Sequence, residues 1–284
     1  MACSKYLSTA LVTMLVFIME TSVTGNALAA TAGGGNTEPA VSSTEKLARA
    51  AQNPVASMIS LPFQNNTNFN FGPESKTQNV LNVQPVLPFE LNDDWNLITR
   101  TIVPVISQPG FVPGQDRTDG VGDTVFTAFL SPKDSGEWIW GVGPVVLIPT
   151  SSNDRLGVGE WGGGVGVVVL TMQGPWVVGG LVNNVWSSTN DSGAKVNSMT
   201  FQPFINYNFS GGWYATTSPI ITANWEADSG NKWVVPLGGG FGRIFKIGEQ
   251  AINAQVQAFY NVESPDNIGP DWTLRFQLQF LFPK

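Results

Sequence analysis

A period-two alternation of apolar and polar residues runs through most of this chain and is plainest where the chain ends. In "DWTLRFQLQFLFPK", Trp272, Leu274, Phe276, Leu278, Phe280 and Phe282 share one side, and Thr273, Arg275, Gln277 and Gln279 share the other. Successive side chains of a strand point to opposite faces, so this is a half-buried strand. The same pattern governs "VLNVQPVLPFEL", where Leu81, Val83, Pro85, Leu87, Phe89 and Leu91 oppose Asn82, Gln84 and Glu90. In "SMTFQPFINYNF", Met199, Phe201, Pro203, Ile205, Tyr207 and Phe209 oppose Thr200, Gln202, Asn206 and Asn208. In "AINAQVQAFYNV", Ile252, Ala254, Val256, Ala258, Tyr260 and Val262 oppose Asn253, Gln255 and Gln257. Further strands are expected near residues 55–64, 95–107, 121–131, 137–149, 161–172, 175–187, 213–226 and 232–247. The total is about twelve, each long enough for the ~9–11 residues of a tilted transmembrane strand. No stretch approaches the roughly 18–20 apolar residues of a transmembrane helix.

Connections of two kinds alternate between these strands. "NNTNFNFGPESK", "QPGFVPGQDRTDG", "SSNDRLGVGE", "STNDSGAK" and "ESPDNIGPD" are long, and "NDD", "PKDSGE", "QGP", "SGG" and "IGEQ" are short. "ADSGN" fits that series least well. A meander with long loops at one end and tight turns at the other is the layout of an outer-membrane barrel. All ten tryptophans (Trp95, Trp138, Trp140, Trp161, Trp176, Trp186, Trp213, Trp225, Trp233 and Trp272) stand near a strand end. An indole combines an apolar body with one N–H donor, which suits the headgroup boundary, so they are expected to form two aromatic girdles.

Charge decides which side the oil faces. Only 12% of the residues are charged. A polar face in contact with bulk water would carry more. Amides and hydroxyls with an occasional charge suit a narrow hydrated lumen, so the apolar face is expected to meet lipid. The fold class is therefore all-β: an antiparallel up-and-down transmembrane β-barrel of about twelve strands.

The first 53 residues are different in kind. Residues 1–29 read as a secretory signal peptide: Lys5, the apolar run Leu7–Met19, then small residues at Ala27-Leu28-Ala29. Residues 30–53 read as a flexible leader holding one short helix, Thr44 to Ala51. Ser43 or Thr44 would cap that helix and Pro54 would end it; it could plug or line a lumen, but its length favours a mere lead-in. The barrel is assigned to residues 54–284. Without the signal no cysteine remains, and there is no histidine anywhere. Disulfide staples, Ser-His-Asp and Cys-His sites and histidine metal sites are thereby excluded. A net charge of −7 argues against nucleic acid.

Two motifs lose to plainer readings. "GVGEWG", Gly157 to Gly162, matches a dinucleotide fingerprint, but a strand pattern rather than a helix follows it. "GQDRTDGVGD" gathers Asp116, Asp119 and Asp123 without the spacing of an EF-hand, so a solvated loop is expected. Asp-Ser-Gly recurs at Asp134, Asp191 and Asp228 as turn chemistry. Neither metal nor cofactor is expected.

Four stretches carry a resemblance: "NPVASMISLPFQNNTNFNFG", "QNVLNVQPVLPFELNDDWNLITRTIVPVISQPG", "GVGDTVFTAFLSP" and the ending "LQFLFPK". Over roughly residues 53 to 284 the chain resembles the MetA-like family linked to phenol-degradation loci. Its members are bacterial outer-membrane barrels often labelled "transporter" or "neuromedin U". The resemblance implies a Gram-negative outer-membrane location reached by export through the periplasm, insertion by the barrel-assembly machinery, and passage of small, hydrophobic or aromatic compounds. It brings no catalytic residues. One departure concerns assembly: barrel proteins usually end on an aromatic residue, whereas Pro283 and Lys284 follow Phe282 here.

The residues expected to line a lumen and select solutes are Arg100, Arg275, Glu90, Glu226, Arg243, Gln202, Asn206, Gln255 and Gln277. An arginine facing lipid at mid-membrane would cost about 2–4 kcal/mol, so charges inside uncharged strands should point inward. A charged constriction would select solutes. An Arg–Glu network that fills and stiffens the barrel is the alternative. The functional expectation is passive passage of small solutes, set against a closed structural or adhesive barrel acting through its outer loops, or a membrane-embedded hydrolase.

Overall fold

The computed structural model describes residues 43–284 apart from Pro113, residues 190–194, Asn267 and Lys284. The expected signal peptide and the leader up to residue 42 lie outside the described residues, as does Asp191. A short helix, α1 (Ser43–Gln52), leads into the sheet. Fifteen strand segments follow, and three pairs of them continue one another across a break, leaving twelve strands. They are β1 (Ile59–Phe71), β2 (Lys76–Val83 and Val86–Glu90), β3 (Trp95–Gln108), β4 (Thr118–Val121 and Thr124–Pro132), β5 (Trp138–Ile148) and β6 (Gly162–Gln173). Then come β7 (Trp176–Ser187), β8 (Asn197–Asn208), β9 (Trp213–Thr217 and Ile221–Asn224), β10 (Trp233–Ile247), β11 (Gln250–Glu263) and β12 (Trp272–Phe282). Every strand pairs antiparallel with the next, and β12 returns to β1 from Ile59↔Phe282 to Phe69↔Trp272. The sheet closes on itself, so it has no free edge.

The pleat sorts side chains as the sequence pattern predicts. Along β12, Trp272, Leu274, Phe276 and Phe282 are exposed on the outer wall, while Arg275, Gln279 and Leu281 are buried inside. The outer wall is a continuous apolar band that includes Val165, Val167, Val169, Val178, Val182, Phe201, Ile205, Phe241 and Val256. Trp95, Trp138, Trp140, Trp176 and Trp213 stand at the tight-turn end; Trp161, Trp186, Trp225, Trp233 and Trp272 stand at the loop end. Edge-on pairs hold both girdles, with Trp95–Trp140 centroids 5.9 Å apart at one end and Trp225–Trp233 5.4 Å apart at the other. Trp176 and Trp186 mark the two ends of β7. At ~3.3 Å per residue and a tilt of ~40°, their spacing spans about 25 Å, the height of a barrel's apolar band. No helix among the described residues is long and apolar enough to cross a membrane.

Two expectations need correction. The run "NNTNFNFGPESK" is not a long loop, because β1 runs through Phe71 and only four residues, Gly72–Ser75, turn the chain into β2. Its amides are used on the strands. Thr273 Oγ1 donates to Asn68 Oδ1 (2.7 Å), Asn68 Nδ2 to Gln78 Oε1 (2.6 Å), and Gln78 Nε2 to Gln108 Oε1 (2.6 Å), a rung spanning four strands. The lumen, second, is not polar all round. Ile98, Phe129, Val168, Leu170, Val177, Leu181 and Phe204 are buried together on the inner wall of β3 to β8, forming a dry core inside the barrel. β5, β6 and β7 are apolar on both faces because one face meets lipid and the other meets this core. Gly166 makes room for it: a Cβ there would lie 3.3 Å from the Phe129 ring.

Candidate functional site

A plug closes the tight-turn end of the barrel. "STEKLARAAQ" is built of good helix formers, but ten residues are marginal alone, so packing must hold the helix. Its alanines allow close approach: Ala48 packs with Tyr214 and Ile244, and Leu47, Ala50 and Ala51 cover Met58, Ala251 and Leu281. Gly242 lies under Tyr214, where a Cβ would collide with the ring. Pro54 cannot continue the helix, and Asn53 Oδ1 accepts from the Val55 amide (2.9 Å) to turn the chain. Val55 then enters the dry core. Polar ties complete the seat. Arg49 donates to the carbonyl of Gly174 in the turn before β7, the amides of Gln52 and Asn208 bond reciprocally, and Asn96 Nδ2 donates to Ser57 Oγ (2.9 Å). Of the two readings the sequence left for this helix, the structure takes the lumen plug over the lead-in that its length favoured. The apolar face of Leu47, Ala48 and Ala51 was the legible signal.

Between plug and wall lies a cavity of about 150 Å³ with a mixed lining. Ala50, Ala51, Pro54, Met58, Leu181 and Phe204 supply its apolar surface. Amides are interspersed with them, among them Gln64, Gln84, Asn253 and Gln279. Five of the expected lumen residues border this space: Arg100, Gln202, Asn206, Gln255 and Gln277. A second amide rung runs beside it, Tyr214 Oη donating to Asn253 Oδ1 (2.6 Å) and Asn253 Nδ2 donating to Gln279 Oε1 (3.1 Å).

The remaining expected residues are elsewhere. Arg275 points inward and is buried, but its donors are committed to the wall. Nε reaches Asn66 Oδ1 (2.9 Å), Nη1 reaches the Ser218 carbonyl (2.6 Å), and the guanidinium lies 4.9 Å from the Phe259 centroid. β9 breaks between Thr217 and Ile221, where Pro219 lacks an N–H. Gln257 Oε1 accepts from the Ser218 amide (3.0 Å), so Gln257 and Arg275 satisfy a backbone that the ladder has left. The inward hydroxyl of Ser218 accordingly faces an amide and a guanidinium, neither of which is a general base. Glu90 sits on the inner side of β2 at the turn-end rim, paired with Lys133 at 3.1 Å.

Two placements reverse the expectation. Glu226 follows β9 at the loop end, outside the lumen, paired with Lys195 at 2.8 Å. That bond, with attraction from Lys195 and Lys232, holds its carboxyl below the usual range. Arg243 is exposed on the outer wall near the tight-turn end, opposite Trp213 in register and 5.1 Å from its ring centroid. "GGGFGRIF" gave no clean alternation from which to read its side. An arginine at the girdle reaches the headgroup layer, so it escapes the mid-membrane cost.

At the loop end, residues 109–112 and 114–117 fold onto residues 149–161. Arg155 donates to the carbonyls of Asp116 (3.0 Å) and Pro109 (3.1 Å), and Leu156 is buried against Gly120 and Gly122. Asp123 accepts from the amides of Ser151, Val158 and Gly159, and Asp119 accepts from Ser107 Oγ (2.5 Å). Asp123 therefore organises loop backbone, and Asp119 ties the start of β4 to β3. Gly157–Gly162 leads into β6, a strand.

The barrel is similar to solved outer-membrane channels. The COG4313 outer membrane channel from Pseudomonas putida F1 superposes with a TM-score of 0.62 at 19% identity, covering 81% of this chain and 96% of that one. The NanC porin gives 0.50 at 8% identity over 80% and 100%. At such identities the likeness is one of fold. No protein-family profile matches the chain, and no curated protein matches it by sequence.

Proposed function

We propose that this chain is an outer-membrane channel giving passive passage to small solutes with an apolar or aromatic body. The carrying observation is the mixed lining of the cavity between plug and wall, where amides such as Gln84 and Asn253 share the surface with Phe204, Leu181 and Met58. A porin for sugars or ions would be wetter; a pure hydrocarbon site would have fewer amides. The tight-turn end with its plug faces the periplasm and the long loops face outward, as in other such barrels. The MetA-like resemblance of the sequence supports the same reading and the same location, reached through the barrel-assembly machinery into outer-membrane lipid.

One observation favours a second reading. The dry core and the plug leave little open lumen, as expected of a closed barrel that acts through its loops. Permeation separates the two. Cells with an intact outer membrane expressing the chain should take up phenol several-fold faster than cells without it. Equal uptake, with the barrel present and folded in the outer membrane, would favour the closed barrel.

A further inference from the structure

Arg100 differs from Arg275 in a way that bears on the solute. Both side chains point into the barrel, Arg275 buried and Arg100 half-buried. Arg275 spends its donors on Asn66 and the Ser218 carbonyl and stacks on Phe259. Among the described residues Arg100 has a single hydrogen-bond partner, Gln84 Oε1, although a guanidinium carries five N–H donors. The ion pairs among the described residues are Lys76–Glu74, Lys133–Glu90 and Lys195–Glu226, none involving Arg100. The residue borders the cavity, which offers space to the donors Gln84 does not take. A half-buried cation without a carboxylate is partly desolvated, and an incoming anion would offset that cost.

We infer that Arg100 reads an anionic head, and that the preferred occupant of the cavity is a small amphiphile carrying one carboxylate on an apolar body of about one ring. This rests on the passage reading above and narrows it to a substrate class. The carboxylate receives the planar N–H fork of Arg100, and Gln84 stays beside it. The body lies against Phe204, Leu181 and Met58. A dry cavity of about 150 Å³ holds a benzene ring in another protein, which sets the scale.

The probes are sodium benzoate and benzyl alcohol, two single-ring molecules that differ in charge. Titration calorimetry on the full chain in neutral detergent at low ionic strength should show benzoate binding at least about tenfold more tightly, one charge-assisted hydrogen bond's worth. Arg100→Gln should abolish that preference and change benzyl alcohol affinity less than about threefold. Equal affinities in the native chain, or a preference that survives Arg100→Gln, would overturn the inference. If Arg100→Gln does not fold, Arg100→Lys keeps the charge without the fork. It should weaken benzoate at least about threefold and spare benzyl alcohol, and an unchanged benzoate affinity is the overturning result. Phenol uptake is scored separately. Uptake without benzoate preference defeats only this inference; benzoate preference without uptake defeats passage and leaves a binding site.

Discussion

The side-chain amides of Gln52 and Asn208 face one another, Gln52 Nε2 donating to Asn208 Oδ1 at 2.9 Å and Asn208 Nδ2 donating back to Gln52 Oε1 at 3.1 Å. The pair joins the last residue of the plug helix to the last residue of β8. With the Arg49–Gly174 contact it ties the helix to the mouth of a barrel whose own ladder does not need it.

That separation gives the first prediction. Arg49→Ala combined with Gln52→Leu should loosen the plug by roughly 1–3 kcal/mol while leaving the barrel's unfolding midpoint nearly unchanged. Single-channel recordings in planar bilayers should then show larger or more frequent conductance steps than the native chain. Unchanged traces would mean the helix is not the obstruction.

Arg275 should behave as a brace. Arg275→Met strands the Ser218 carbonyl and Asn66 together, and is expected to cost about 2–4 kcal/mol in urea unfolding from detergent. Ion selectivity of the folded fraction should stay as it was. A selectivity change at full stability would return Arg275 to the conduction path.

Arg243→Leu removes an outward charge at the girdle and its contact with Trp213. The effect on stability should stay within about 1 kcal/mol in either direction, and conductance should not respond. An altered conductance would contradict the outward placement.

Acid should act at Glu226. Its carboxyl is lowered in the folded barrel, chiefly by the Lys195 hydrogen bond, relative to about 4.3 in an unfolded chain. The stabilisation is therefore fully present above the unfolded value and lost as pH falls through the lowered folded one. Glu226→Gln should flatten thermal stability against pH in that acid window and nowhere else. A native chain with no slope there would contradict the pairing.

What the sequence determined by itself is the wall. A strand's side chains alternate strictly, so Trp272 to Phe282 declared an outer face and Arg275 to Gln279 an inner one without reference to any partner. The tryptophans declared the two ends for a similarly local reason, since an indole at a strand end needs only a headgroup layer nearby. The tertiary structure alone decided what fills the barrel. Phe129 and Phe204 come from separate strands and meet only after closure, and Val55, expected at the start of a strand, reaches them from the turn ahead of β1. The same holds for the charges. Arg100 and Arg275 look alike in sequence, each a cation in an uncharged strand, but β9 breaks beside one and a cavity opens beside the other. Where a backbone loses its ladder partner, and which side chain arrives to replace it, depends on contacts between distant strands.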